Sequence, residues 1–474
     1  MRGVLQSGFF AAVLLFISPV GEGGRAWSMS LTEAVAIAVD SNPDIGQAIA
    51  NREAIEFELR QGRGLYLPRI DLEGDLGGEM RDNTTTHETN DERDIFFRRQ
   101  GSIVMRQMLF DGFKTDAEVQ RQASRVDGAS FRVAERSQFI ALSVIREYLD
   151  IIRLRRSVDF AKQNITFHQR LLTRIKEGTV GGSISIADRQ QAQERLFAAT
   201  ARLPQIREEL TAAEARFIKL VGQAVGSVKQ PAGPGRHLPP NLDATLGYAR
   251  KNHPTIKIAM ADLDAAIALV KKVEGDFYPQ LSLEARGTAG AELGGVRGHD
   301  YGGQVGVVMT WNLYNGGIDR AHVQEQVRRV DEERMKLHQI SRDVGEAVRI
   351  SWSRRIEQAI RLRELQQELA TQNQVVISYN EQFNIGQRSL LDLLDAQNGK
   401  FSVQISVETA TAATLFAEYR ILAATGTLLQ KMAIKEPPAA DAYARSQANV
   451  PPTPPADTMP RYSPNRDGSL GPLY

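Results

Sequence analysis

Residues 301–318 read YGGQVGVVMTWNLYNGGI. Val305, Val307, Met309, Trp311 and Leu313 occupy alternate positions, so they share one face of an extended segment. Asn315, Gly316 and Gly317 stop the alternation. From Ile318 the apolar spacing changes to threes and fours, through Leu337, Ile340, Val344, Val348, Trp352, Ile356, Ala359, Leu362, Leu365 and Leu369. That seam persists to about residue 385, and no proline falls between Pro279 and Pro437. The pattern is that of a coiled-coil helix, roughly 100 Å long at 1.5 Å per residue. A strand with one apolar face therefore feeds directly into a very long helix.

The same junction occurs earlier. Leu109-Phe110-Asp111-Gly112 matches Leu313-Tyr314-Asn315-Gly316, a little over 200 residues upstream. Asn42-Pro43 recurs as His253-Pro254, Leu65-Tyr66-Leu67-Pro68 as Phe277-Tyr278-Pro279, Ala192-Gln193 as Ala396-Gln397, and Gly222 as Gly426. A solenoid would repeat every 20–50 residues, so this is a duplicated half-molecule. The halves span 27–229 and 241–432, joined by a linker at 230–240 (QPAGPGRHLPP).

Each half has one order of elements. Residues 31–62 predict a helix, opened by Ser30 and Glu33 in capping-box spacing. Alternation predicts strands at 67–81 and 96–110, and at 279–292 and 301–314. In the first pair Ile70, Leu72 and Leu76 share a face, as do Ile103, Met105 and Leu109. The loop 82–94 is acidic and threonine-rich and is expected to be solvated. Residues 113–177 predict the first long helix, with a seam through Val126, Val133, Ile140, Val144, Ile151 and Leu154. The long helices end at Gly178 and Gly386, and return helices follow at 184–222 and 389–430. Pro204 is expected to kink the first of these. The proline-rich tail, 433–474, is expected to be disordered.

Composition narrows the functional classes. The chain has 474 residues, with 58 basic and 57 acidic side chains, which argues against a nucleic-acid binder. It has no cysteine, which excludes disulfides, thiolate metal sites, a cysteine nucleophile and a lipid-anchor cysteine. The histidines are scattered without metal-ligand spacing, no nucleophile–base motif stands out, and the glycines at 287–303 do not form a phosphate cradle. No enzyme activity, metal or cofactor is expected. Phe9–Ile17 (FFAAVLLFI) follows Arg2 and precedes Gly24 and Ala26, so residues 1–26 read as a signal peptide cleaved after Ala26. Beyond it no apolar run reaches bilayer length, but a transmembrane β-barrel barely registers in hydropathy.

The fold class reads as mainly α, with long antiparallel coiled-coil hairpins plus four strands per protomer that, if they are membrane β, must be pooled between chains. Four strands cannot close a barrel around a pore, and open edges cannot lie in lipid. The helical seams likewise need cover. Both parts call for a closed oligomer.

In the order helix, strand pair, long hairpin, twice over behind a signal peptide, the chain resembles the TolC family of outer-membrane efflux and secretion ducts. Tyr66-Leu67-Pro68, Phe277-Tyr278-Pro279 and the two Leu-aromatic-Asp/Asn-Gly motifs carry the likeness. So does FNIGQRSLLDLLDA at 383–396, which matches the family's hairpin tip. The likeness covers roughly residues 30–430. It implies a homotrimer with a twelve-stranded barrel in outer-membrane lipid and a periplasmic helical tunnel. It implies a periplasmic adaptor (membrane fusion protein) and an inner-membrane ABC exporter or proton-driven pump as partners. Type I protein secretion and drug efflux share this architecture; the missing lipid-anchor cysteine and the glycine-lengthened first tip lean towards secretion. The alternative from another class is a periplasmic coiled-coil adaptor or scaffold, which would carry one hairpin between β-rich domains.

A duct needs a gate and a filter. Asp392 and Asp395, three apart beside the tip, share a helical face. In a trimer with converging tips each forms a ring of carboxylates that favours cations, and the resemblance places the family's constricted aperture there. It also implies a latch at Arg388, with Asp188 in the first tip as its partner. Phe383 stands where some members carry a tyrosine, and Ala187 likewise lacks a hydroxyl found in some, so neither side chain supplies that polar link.

Overall fold

The structure is a computed structural model, and it describes residues 29–89, 93–180, 184–451 and 453. The signal peptide expected at 1–26 lies outside the described residues, as do 454–474.

The first expected helix is two helices. α1 (Leu31–Ser41) is opened by the reciprocal capping box of Ser30 and Glu33. It stops because Asn42 precedes Pro43, and a residue before proline is pushed out of the helical region; Asn42 has φ −70° and ψ 128°. The Asn42 side chain then accepts from the Asp44 N–H at 2.9 Å and caps α2 (Pro43–Gly64). The second half repeats the break for the same reason. α6 (Leu242–Asn252) ends before Pro254, and His253 caps α7 (Pro254–Glu274).

The four strands are β1 (Arg69–Glu79), β2 (Phe96–Phe110), β3 (Gln280–Ala291) and β4 (His299–Thr310). They form one antiparallel sheet in the order β1-β2-β3-β4, so the two halves join at β2–β3, and among the described residues the outer edges of β1 and β4 carry no partner strand. The register puts Leu72 opposite Ile103, Ile70 opposite Met105, and Leu283 opposite Val307. That face is apolar and exposed: Leu72, Val305 and Met309 are all open to the outside. The opposite face is charged and internally paired. Arg98 meets Asp75 at 3.1 Å and Arg106 meets Glu284 at 3.2 Å. Polar on one side and apolar on the other, the sheet has two chemically distinct faces.

The 82–94 loop is not wholly solvated. It contains a short helix, α3 (Thr84–Thr89), and Thr86 is buried within it. The Thr86 hydroxyl takes the Asn83 N–H at 2.9 Å and donates to the Asn83 carbonyl, so a polar side chain can be buried because its bonds are made locally.

α4 (Lys114–Val180) and α8 (Ile318–Asn384) are each 67 residues long. They return as α5 (Ile186–Val221) and α9 (Leu390–Ala424). Pro204 lies inside α5, which continues past it. The two long helices share a plan but not surroundings. α4 packs against α2, α5, α7 and α9 and buries its seam from Ala123 to Ile175. α8 packs on α9 and α7, and leaves Ile350, Ile356 and Ile360 exposed. Among the described residues no helix is long and apolar enough to cross a membrane.

After α10 (Leu428–Lys431) the chain departs from the expected disorder as far as residue 451. Pro438–Ala440 makes a turn of 3-10 helix and α11 (Ala444–Gln447) lies along α4. Small side chains make this possible: Ala440 fits against Val133 and Ala134, and Ala444 against Ile55, Leu59 and Val126. Arg445 then reaches two buried carboxylates, Asp127 on α4 and Asp264 on α7.

Candidate functional site

The second hairpin turns in five residues. Gly386 adopts φ +75°, the left-handed conformation a helix C-terminus favours. The Gly386 N–H donates to the Phe383 carbonyl and the Gln387 N–H to that of Gln382. Ser389 then starts α9, its hydroxyl accepting from the Asp392 N–H at 3.2 Å. This cap fixes Asp392 in the first turn of α9, where a carboxylate is favoured by the helix dipole. Asp395 follows on the same side, and the two side chains are 45% and 58% exposed.

Beneath them lies a small apolar core that binds the two tips together. Leu390, Leu393 and Leu394 of α9 are buried against Leu171, Leu172 and Ile175 of α4 and Ala192 of α5. Phe383 and Tyr379 pack on the edge of this cluster. Phe383 is thus an apolar anchor of the tip.

Arg388 engages its own hairpin. Its Nε donates to Gln382 Oε1 at 3.1 Å, its guanidinium stacks 4.0 Å over the Tyr379 ring, and a terminal nitrogen lies 3.6 Å from Asp392. Asp188 is occupied elsewhere. It accepts from the Ser185 hydroxyl at 2.7 Å while its own N–H returns to Ser185 Oγ at 3.0 Å, a capping arrangement at the start of α5. Within one protomer Arg388 and Asp188 are therefore not brought together. Ala187 is exposed. Three residues of the expected first tip, 181–183, lie outside the described residues.

Several polar links cross between the hairpins near this end. Arg174 donates to Asn384 at 2.6 Å, Gln397 donates to Asn164 at 2.9 Å in a buried pair, and Arg195 donates to Asp395 at 3.2 Å. Further from the tip Arg156 meets Glu408 at 2.8 Å. Arg195 and Tyr379 were not singled out in the sequence. Tyr379 could have been found by stepping one turn back from Phe383 along the helix face. Arg195 could not, because its pairing depends on how the two hairpins are offset.

Behind Arg195, a cavity of about 440 Å³ opens between α4, α5 and α9, lined by Asn164, His168, Arg195, Arg202, Asn398 and Ser402 among others. His168 is buried there with its Nδ1 unpartnered. Burial, and then the neighbouring Arg195 charge, push its pKa down to about 4, so the ring is neutral at pH 7.

The tip thus sets two carboxylates beside the hairpin turn, Asp392 facing Arg388 and Asp395 facing Arg195. The sequence profile described as "Outer membrane efflux protein" matches residues 35–223 and 245–427, the two halves in turn. Outer membrane efflux protein BepC of Brucella suis is 25% identical over 424 residues, covering 88% of this chain and 90% of the relative. Alkaline protease secretion protein AprF of Pseudomonas aeruginosa is 21% identical, covering 90% and 89%. Among solved structures, the outer membrane protein VceC of Vibrio cholerae superposes with a TM-score of 0.71 at 15% identity, over 84% of this chain and 96% of that one.

Proposed function

This chain belongs to the outer membrane efflux protein family, which are outer-membrane transport proteins and not enzymes, and on that premise we propose that three copies form one export duct. The observation that carries this is the sheet. Four amphipathic strands with an apolar outer face and two unpartnered edges are complete only when neighbours supply the missing pairing. Three such sheets close a twelve-stranded barrel, and the hairpins below it line a periplasmic tunnel. The exposed apolar residues of α8 are then covered by the next subunit.

Cargo reaches the duct from an inner-membrane pump through a periplasmic adaptor. We read the chain as the outer-membrane component of a type I secretion system; the secretion relative AprF supports this, with an ABC exporter as the pump. A drug-efflux role, with a proton-driven pump, is the second reading, favoured by the likeness to BepC. Cross-linking in cells followed by identification of the captured pump separates them. Loss of a secreted polypeptide on deletion supports the first, and loss of drug tolerance alone supports the second.

At the tips, Asp392 and Asp395 form the cation-selective aperture, supported by their capped position and exposure. Arg388 and Asp188 act as a latch between neighbouring subunits, since within a subunit each is held by its own hairpin. Phe383 contributes packing to that latch. Single-channel recording of the Asp392→Ala/Asp395→Ala double variant tests the aperture. Cation preference and block by multivalent cations are expected to drop, and unchanged values would refute it. Charge removal at Arg388 or Asp188 is expected to raise conductance or antibiotic influx.

A further inference from the structure

The two aperture aspartates differ in where their counter-charges come from. Asp392 has Arg388 four residues before it, on the same hairpin, so that pair travels together. Asp395 has no such neighbour: the positions three and four residues away on α9 are Leu391, Asp392, Asn398 and Gly399. Its cation is Arg195, from α5 of the other hairpin, at 3.2 Å. Arg195 in turn has an acid on its own helix, Glu194, 3.5 Å from its Nε and largely in solvent. Arg195 thus retains a partner if the hairpins part, whereas Asp395 does not.

We propose that Arg195 is the counter-ion that neutralises Asp395 while α5 and α9 touch, so that separation of the hairpins uncovers an additional carboxylate at the aperture. This inference rests on the aperture reading above. The pair is close enough to act on a passing ion as a dipole, whose field falls off faster than that of a bare charge. Parting the hairpins converts the dipole into a full negative charge, repeated in every subunit. The cation preference of the duct is then larger when open than when closed, and Arg195 sets the difference. His168, behind Arg195, is uncharged at neutral pH and adds no second cation. An exposed pair of this kind adds little to stability, so the role of Arg195 is in the field and not in holding the fold.

The test is planar-bilayer recording of the full-length oligomer with hexaamminecobalt(III) as blocker, for wild type, Arg195→Gln, Arg195→Lys, Asp395→Asn and the Arg195→Gln/Asp395→Asn double variant. Arg195→Gln is expected to bind the blocker about tenfold more tightly and to raise the cation-to-anion permeability ratio. Arg195→Lys is expected to restore wild-type values, and the double variant to match Asp395→Asn. The proportion of heat-resistant oligomer should be equal in all five. If Arg195→Gln changes nothing while Asp395→Asn weakens block, Arg195 is not the counter-ion and the aperture reading stands. If Asp395→Asn also leaves block and selectivity unchanged, both ideas are overturned.

Discussion

Arg445 and Asp127 are joined twice. The Arg445 backbone N–H and its side-chain Nε both donate to Asp127 Oδ2, at 3.2 and 3.0 Å. The adjacent Ala444 N–H takes the other oxygen at 2.8 Å. The far edge of the same guanidinium reaches Asp264 at 2.6 Å. One arginine near the C-terminus therefore ties α4 of the first half to α7 of the second.

Removing that arginine leaves two carboxylates, each only 4% exposed, without their cation. Breaking a buried pair from one side is expected to destabilise by about 3–5 kcal/mol. Arg445→Ala should lower the thermal midpoint of the purified protein clearly, and Arg445→Lys should recover part of it. An unaltered midpoint in the alanine variant would show that the C-terminal segment is dispensable to the fold.

Glu118, near the start of α4, predicts a pH dependence. Burial pulls its pKa up, but hydrogen bonds from Arg121, Gln122 and Lys272 outweigh burial and hold it at about 2. The folded carboxylate thus resists a proton that the unfolded chain accepts near its ordinary value of 4.5. Its stabilisation is present above that value and drains away as pH falls from 4.5 towards 2. Glu118→Gln should be less stable than wild type by about 1–3 kcal/mol at pH 7. The gap between the two should narrow when melting is followed down through pH 4.5; a constant gap would contradict the assignment.

Leu72 is 81% exposed on the apolar face of β1, with Ile103 opposite. If that face meets hydrocarbon, Leu72→Arg should cost about 2–4 kcal/mol near the bilayer midplane. Asp71→Asn, on the charged face, should be far milder. Denaturant titration in lipid vesicles reads both, and equal effects would mean the faces are assigned wrongly.

The repeated glycines at the strand–helix junctions are not equivalent. Gly112 (φ +71°) sits so close to the second half that a Cβ would fall 2.6 Å from the Gly275 carbonyl oxygen and 2.9 Å from Tyr278 Cβ. Gly316 (φ +74°) has open space around it. Gly316→Ala should cost only the left-handed backbone penalty, about 1–2 kcal/mol. Gly112→Ala adds a clash with backbone to that penalty and should sharply reduce the yield of assembled oligomer. Equal yields would mean the junctions are packed alike.

The regular parts of this fold were legible because each is a period. Alternation through Ile70, Leu72 and Leu76 marks a strand, and threes and fours through Val126 to Leu154 mark a helix, whatever surrounds them. The departures occur where a single local bond or a distant partner decides. Pro43 breaks the expected helix after Ser41 because of its ring, and that constraint could have been weighed from sequence. Thr86 is buried because Asn83 satisfies it, which composition does not reveal. The tail packs through Ala440, Ala444 and Arg445, and none of them is a large apolar residue. At the tip, Asp392, Asp395 and Arg388 follow from local spacing. Arg195 comes from a helix about 200 residues away, and only the offset between hairpins brings it to Asp395.

The unpartnered edges of β1 and β4 have a genetic corollary. A subunit whose β4 edge is spoiled, for instance by Val307→Pro, still offers a sound β1 edge to its neighbour. It would be recruited into a shared barrel and prevent its closure. Such an allele should be dominant over a normal copy in the same cell, since the fraction of sound ducts falls as the cube of the normal share. A lesion that unfolds the subunit outright should instead be recessive, because it never joins.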